Sequence, residues 1–141
     1  MAKKGSPIFI SYASEDRQYA DVVTKALEAK GVAVWTERDM LPGESWEDEI
    51  AQALDAAEII LVLCSPHTLS SQWQNFEMGM AVARTIETPG KRLVPVLVQG
   101  DNWQPLPAFV RNRYAVDARH LSVEQIGDTL LRVVDDRTPV A

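Results

Sequence analysis

Ile59-Ile60-Leu61-Val62-Leu63-Cys64 is an unbroken apolar run, closed by Ser65-Pro66. A strand with one wet face alternates apolar and polar residues, whereas a strand covered on both faces does not. The run therefore reads as a central strand of a parallel sheet. On its N-terminal side Trp46, Ile50, Ala53, Leu54 and Ala57 recur at helical spacing. On its C-terminal side a helix from about Ser70 to Arg84 puts Trp73, Phe76, Glu77, Met80 and Ala81 on one face. A buried strand between two helices is the unit from which open α/β sheets are wound.

The same pattern extends in both directions. Pro7 to Tyr12 (PIFISY) reads as the first strand. Ser14 is then read as a helix N-cap, with Glu15 and Asp16 at the positive end of the helix dipole. Tyr19, Val22, Val23, Ala26 and Leu27 follow at helical spacing, and Gly31 ends the helix. Val32 to Thr36 is the second strand, and Glu37 to Ser45 a polar loop with a Pro42-Gly43 turn. Leu93 to Val98 is the fourth strand; Pro95 within it cannot donate to a ladder, which places this strand toward the sheet edge. Gly100 to Pro107 is a loop holding Trp103, and Tyr114 to Asp117 a short fifth strand. Ser122 and Gln125 form a capping box that opens a last helix on Val123, Ile126, Leu130, Val133 and Val134.

The expected fold is α/β, a flavodoxin-like three-layer arrangement of five parallel strands in the order 2-1-3-4-5, with helices on both faces. Residues 7–136 form the domain, 1–6 an N-terminal tail, and 137–141 a tail or the start of a linker. In such folds ligands sit beyond the carboxyl ends of the strands, at the switch between strands one and three. That crevice would be lined by Ser11 to Ser14, Glu37 to Gly43, and Ser65 onward.

Composition removes several functions. The net charge is −6 and the basic residues are scattered, which argues against binding nucleic acid directly. Cys64 is the single cysteine, so no disulfide framework exists and a reducing, cytoplasmic setting is expected. No apolar stretch reaches membrane-spanning length, and Met1 to Gly5 lacks the apolar core of a signal peptide. His67, His120 and Cys64 show no metal-ligand spacing, so no metal is expected. Phosphate-cradling glycine motifs and a nucleophile elbow are absent. A receiver domain of this fold would need an acid after strand three, where Cys64-Ser65 stands, and a lysine after strand four, where Gln99-Gly100 stands. Glu77 remains, a carboxylate on an otherwise apolar helix face. Its position is compatible with a boundary residue meeting Arg84 and with a carboxylate put to use.

The motifs taken together resemble the Toll/interleukin-1 receptor (TIR) domain family, in its bacterial, NAD-cleaving form. Phe9-Ile10-Ser11-Tyr12 followed by Ser14-Glu15-Asp16 resembles the family's opening motif. Trp35 to Ile50 (WTERDMLPGESWEDEI) is similar to its BB loop and the helix that follows. Ser65-Pro66, then Trp73 with Glu77 four residues on, matches the family's serine, tryptophan and glutamate. Leu93-Val94-Pro95-Val96 matches a fourth strand that commonly carries proline, and Gln74 stands where many members have cysteine.

The resemblance implies an NAD⁺ nucleosidase with NAD⁺ as substrate and no cofactor. Glu77 would be catalytic, and Ser11, Tyr12, Ala13, Ser65 and Trp73 would line the nicotinamide-ribose pocket. Trp73 also fits core packing. Trp103 would stack on the adenine of NAD⁺ held by a neighbouring subunit, or else cap Leu106, Phe109 and Val110. Asp39, Met40, Leu41, Pro42, Gly43 and Trp46 would form the loop through which TIR domains assemble. Activation by a sensor domain outside this chain, in antiphage defence, is the implied setting. The alternative is a signalling module that acts by TIR-TIR contact alone.

Overall fold

The computed structural model describes residues 8–36, 39–40, 42–43, 45–68, 79, 88–100 and 115–135. Five parallel strands form one sheet: β1 (Ile8–Ser11), β2 (Val34–Trp35), β3 (Ile59–Cys64), β4 (Arg92–Leu97) and β5 (Val116–Asp117). Their order is β2-β1-β3-β4-β5, as expected. The helices are α1 (Arg17–Glu28), α2 (Trp46–Ala56) and α3 (Val123–Asp135).

The period of two along each strand sorts side chains into two cores. Ile8, Ile10, Ile59, Leu61 and Leu63 point to one face, where Ala20, Val23 and Leu27 of α1 meet Ile126, Leu130 and Val134 of α3. Phe9, Ile60, Val62 and Cys64 point to the other, against Ile50, Ala53 and Leu54 of α2. There the Phe9 and Trp35 rings stack with centroids 5.0 Å apart. β3 is buried along its whole length, which is why its sequence does not alternate.

Local signals fare unevenly. Gly31 adopts φ +82°, a left-handed conformation open to glycine. It ends α1 in a paired motif: its N–H donates to Glu28 O at 3.0 Å and the Val32 N–H to Leu27 O at 3.1 Å. The capping box holds too, with Ser122 N–H donating to Gln125 Oε1 at 2.9 Å and Gln125 N–H to Ser122 Oγ at 3.1 Å. Ser14 does not cap. It opens a 3₁₀ turn, Ser14–Asp16, and its hydroxyl bonds Glu15 instead, at 3.2 Å. Val123, expected on the core face, is the first residue of α3 and is 50% exposed.

β4 lies next to the sheet edge, as expected, with β5 paired to it at Val96 and Leu97. The tolerance of Pro95 has a register explanation. Arg92 and Val98 donate toward β3, to Glu58 O and Cys64 O. Alternation therefore turns the Pro95 nitrogen to the β5 side, ahead of Val96, where that ladder begins.

Candidate active site at the exits of the central strands

In an open parallel sheet the chain reverses its winding direction between β1 and β3, leaving a crevice above their carboxyl ends. Here β1 exits through Ser11, Tyr12 and Ala13, and β3 through Ser65. All four are buried. Tyr12 lies inside the first core.

Ser65 opens a tightly bonded turn. Its N–H donates to Thr68 Oγ1 at 2.9 Å, and Thr68 N–H donates back to Ser65 O at 3.1 Å. The Thr68 hydroxyl reaches Leu63 O at 3.4 Å. Ser65 Oγ accepts the His67 N–H at 3.0 Å and donates its own proton to Asp16 Oδ2. Asp16, read from the sequence as an acid at the positive end of the helix dipole, is fully buried. Burial pushes its carboxyl above the usual range, against the lowering effects of the Ser65 hydrogen bond and of His67. A signal for it was present. Asp16, Ala20, Val23 and Leu27 follow one another at helical spacing and are all buried.

Other groups lie close to the β3 exit. Gly100, at φ +103°, approaches Pro66 so closely that a Cβ would stand 3.1 Å from Pro66 Cδ. Arg119 donates to Gly100 O at 2.7 Å and to Asp117 at 2.8 and 2.9 Å. Those hydrogen bonds hold the Asp117 carboxyl at about 2. Cys64 is sealed in the second core, its thiol pushed up to about 12 by burial, which removes it as a nucleophile.

In the expected assembly loop, Asp39 accepts the Thr36 N–H at 2.8 Å and donates its own N–H to Thr36 O at 2.9 Å, closing the chain just after β2. Met40 is half-buried against the second core. Pro42 and Gly43 are exposed, and Trp46 is the first residue of α2. Glu77, Trp73, Trp103 and Leu41 lie outside the described residues. Among the described residues no group of three metal-ligating side chains occurs, and no helix is long and apolar enough to cross a membrane. A depression of about 480 Å³ bounded by Asp55 to Ile59 and Thr88 to Arg92 lies at the opposite end of the sheet, where β3 and β4 begin.

A family model described as TIR domain matches residues 8–131. The Stimulator of interferon genes protein of Magallana gigas is 35% identical over 105 residues, which are 73% of this chain and 25% of that protein. The 2′ cyclic ADP-D-ribose synthase AbTIR of Acinetobacter baumannii is 27% identical over 135 residues, 92% of this chain and 49% of that one. The chain thus spans half or less of the length of these relatives. Among solved structures, a metazoan TIR-STING receptor from C. gigas matches with a TM-score of 0.75 at 28% identity, covering 100% of this chain and 43% of the other.

Proposed function

The chain belongs to the TIR domain family, and from that premise we propose that it cleaves NAD⁺ between nicotinamide and ribose, with Glu77 as the reacting carboxylate. The observation that carries this reading is the kinship, over 92% of the chain, with a protein named as a 2′ cyclic ADP-D-ribose synthase. The general rule that open parallel sheets receive ligands beyond the carboxyl ends of their strands supports a site at the β1 and β3 exits. The chemistry asks little of the protein. Nicotinamide is attached as a cationic pyridinium and leaves neutral, so no general acid is required. The transition state carries oxocarbenium character, as in glycoside cleavage. One carboxylate that holds the ribose hydroxyls and faces the developing positive charge is sufficient. Trp73, four residues before Glu77 in sequence, would wall the nicotinamide side. The products are nicotinamide and ADP-ribose or a cyclic isomer of it.

Activity would depend on self-assembly through the 39–46 loop, with Trp103 of one subunit stacking on the adenine bound by its neighbour. The proposed setting is antiphage defence, under the control of a sensing partner. The test is release of free nicotinamide from NAD⁺ at high protein concentration. Glu77→Gln should abolish it while the protein stays folded, as a thermal melt run alongside would show. Wild-type turnover in Glu77→Gln removes Glu77 from its role.

A second reading, a signalling module acting by TIR-TIR contact alone, is favoured by the 35% identity to a protein named for stimulation and not for an enzymatic activity. A wild-type chain that assembles and releases no nicotinamide decides for it.

A further inference from the structure

The exits of β1 and β3 are joined by a bond with no part in the chemistry just proposed. Asp16, beyond β1, is 0% exposed, and its Oδ2 accepts the hydroxyl proton of Ser65, beyond β3. The same Ser65 oxygen takes the His67 N–H, so the turn 65–68 is fixed both from within and from the other strand's exit. Asp16 is a costly way to do this. Its Oδ1 has no hydrogen-bond partner among the described residues. Burial raises its pKa, and the neighbouring charges act in opposite senses, His67 lowering and Glu15 raising it. An apolar residue on the buried stripe of α1 would avoid that cost. Local rules tend to be broken where function requires it.

We propose that Asp16 is a positioning residue. Through Ser65 it fixes the turn from which the chain runs on into the segment bearing Trp73 and Glu77, and so sets where Glu77 stands against the ribose. This rests on the reading of Glu77 as the reacting carboxylate. Asp16 touches no substrate in this scheme, so its loss acts on kcat and leaves KM nearly unchanged. Misplacing a reacting group by about 1 Å costs up to about 10²-fold in rate.

The test uses the full chain at a concentration where the wild type turns over NAD⁺. Asp16→Ala should lower kcat about 10- to 100-fold, with KM near the wild-type value. Asp16→Asn keeps a carbonyl oxygen for the Ser65 hydroxyl and should recover most of the rate. Ser65→Ala, which removes the same bond, should lower kcat by as much as Asp16→Ala whatever it does to KM, and the double variant should have a kcat no lower than either, as expected for two halves of one bond. Amide hydrogen exchange gives a readout independent of turnover. His67 and Thr68 should exchange faster in Asp16→Ala and not in Asp16→Asn, while the β3 amides keep their protection. Should Asp16→Ala fail to fold, Ser65→Ala and Asp16→Asn carry the same comparison. An unaltered kcat in Ser65→Ala, additive losses in the double variant, no rescue by asparagine, or unchanged exchange at His67 and Thr68 overturns the positioning role alone. A wild-type chain with no turnover overturns the proposed function, and this role with it.

Discussion

Lys91 holds the end of the sheet away from the crevice, and its replacement has a calculable cost. The side chain is 8% exposed, and its ammonium donates to Leu54 O at 2.8 Å, to Asp55 O at 3.1 Å and to Ala57 O. These carbonyls lie at the C-terminus of α2, where helical N–H partners run out and the dipole leaves about half a negative charge. Lys91→Met keeps the apolar stem and removes every donor. Hydrogen bonds to a charged group contribute roughly 1.5–3 kcal/mol each. The adjoining depression lets water reach part of what is freed, so the loss should be about 3 kcal/mol and not the full sum. At roughly 2–4 °C per kcal/mol for a chain of this size, the melting temperature should fall by about 6–12 °C. Cys64 provides a second readout. Buried in β3 with its thiol pushed up to about 12, it meets a labelling reagent only when the sheet opens. A 3 kcal/mol loss should raise that labelling rate about 10²-fold. Nicotinamide release, measured well below the melt, should persist, because Lys91 lies at the start of β4 and the crevice at the exits of β1 and β3. A melting temperature within about 2 °C of wild type, with unchanged Cys64 labelling, would refute the assignment of α2 anchoring to Lys91.

Gly127 of α3 faces α1, where a Cβ would lie 2.9 Å from Ala26 O. Gly127→Ala should therefore destabilise by about 1 kcal/mol in denaturant titration, despite better helix propensity, whereas Gly79→Ala, exposed and helical with open space around it, should stabilise by roughly 0.5–1 kcal/mol. Equal shifts in the two would contradict the close helix approach. Leu41→Asp should weaken both self-association and NAD⁺ cleavage while the monomer stays folded; unchanged activity at low concentration would remove the loop from the interface. Trp103→Ala should weaken NAD⁺ capture about 5- to 150-fold, the equivalent of roughly 1–3 kcal/mol of base stacking. Mixed with Glu77→Ala it should regain activity at junctions pairing the intact residues; a mixture that assembles and stays dead rules out a shared site.

Sequence reasoning reached the features whose causes are local or periodic. The uniform burial of Ile59 to Cys64, the Gly31 terminus and the Ser122–Gln125 box each depend on residues within a turn or on one strand. It missed the polar links that only the fold creates. Asp16 and Ser65 are 49 residues apart in sequence, and Lys91 and Leu54 are 37 apart. Asp16 carries two signals at once: its place at a helix start suits an acid, and its spacing to Ala20, Val23 and Leu27 puts it on the buried stripe, where the structure has it. The candidate site rests mainly on family resemblance, because a single glutamate at helical spacing in a sequence fits an ion pair as readily as a reacting group.

The two missed links lie at opposite ends of the sheet and differ in kind. Lys91 places its charge on carbonyls that need donors, an arrangement that stabilises the fold. Asp16 keeps a sealed carboxylate with one oxygen lacking a partner among the described residues, an arrangement that costs stability. A fold selected for stability alone would fill such a position with an apolar side chain. That the cost falls at the exits of β1 and β3, where an open parallel sheet receives its ligands, is an argument from energetics for the crevice as the working end of the domain, made without reference to any relative.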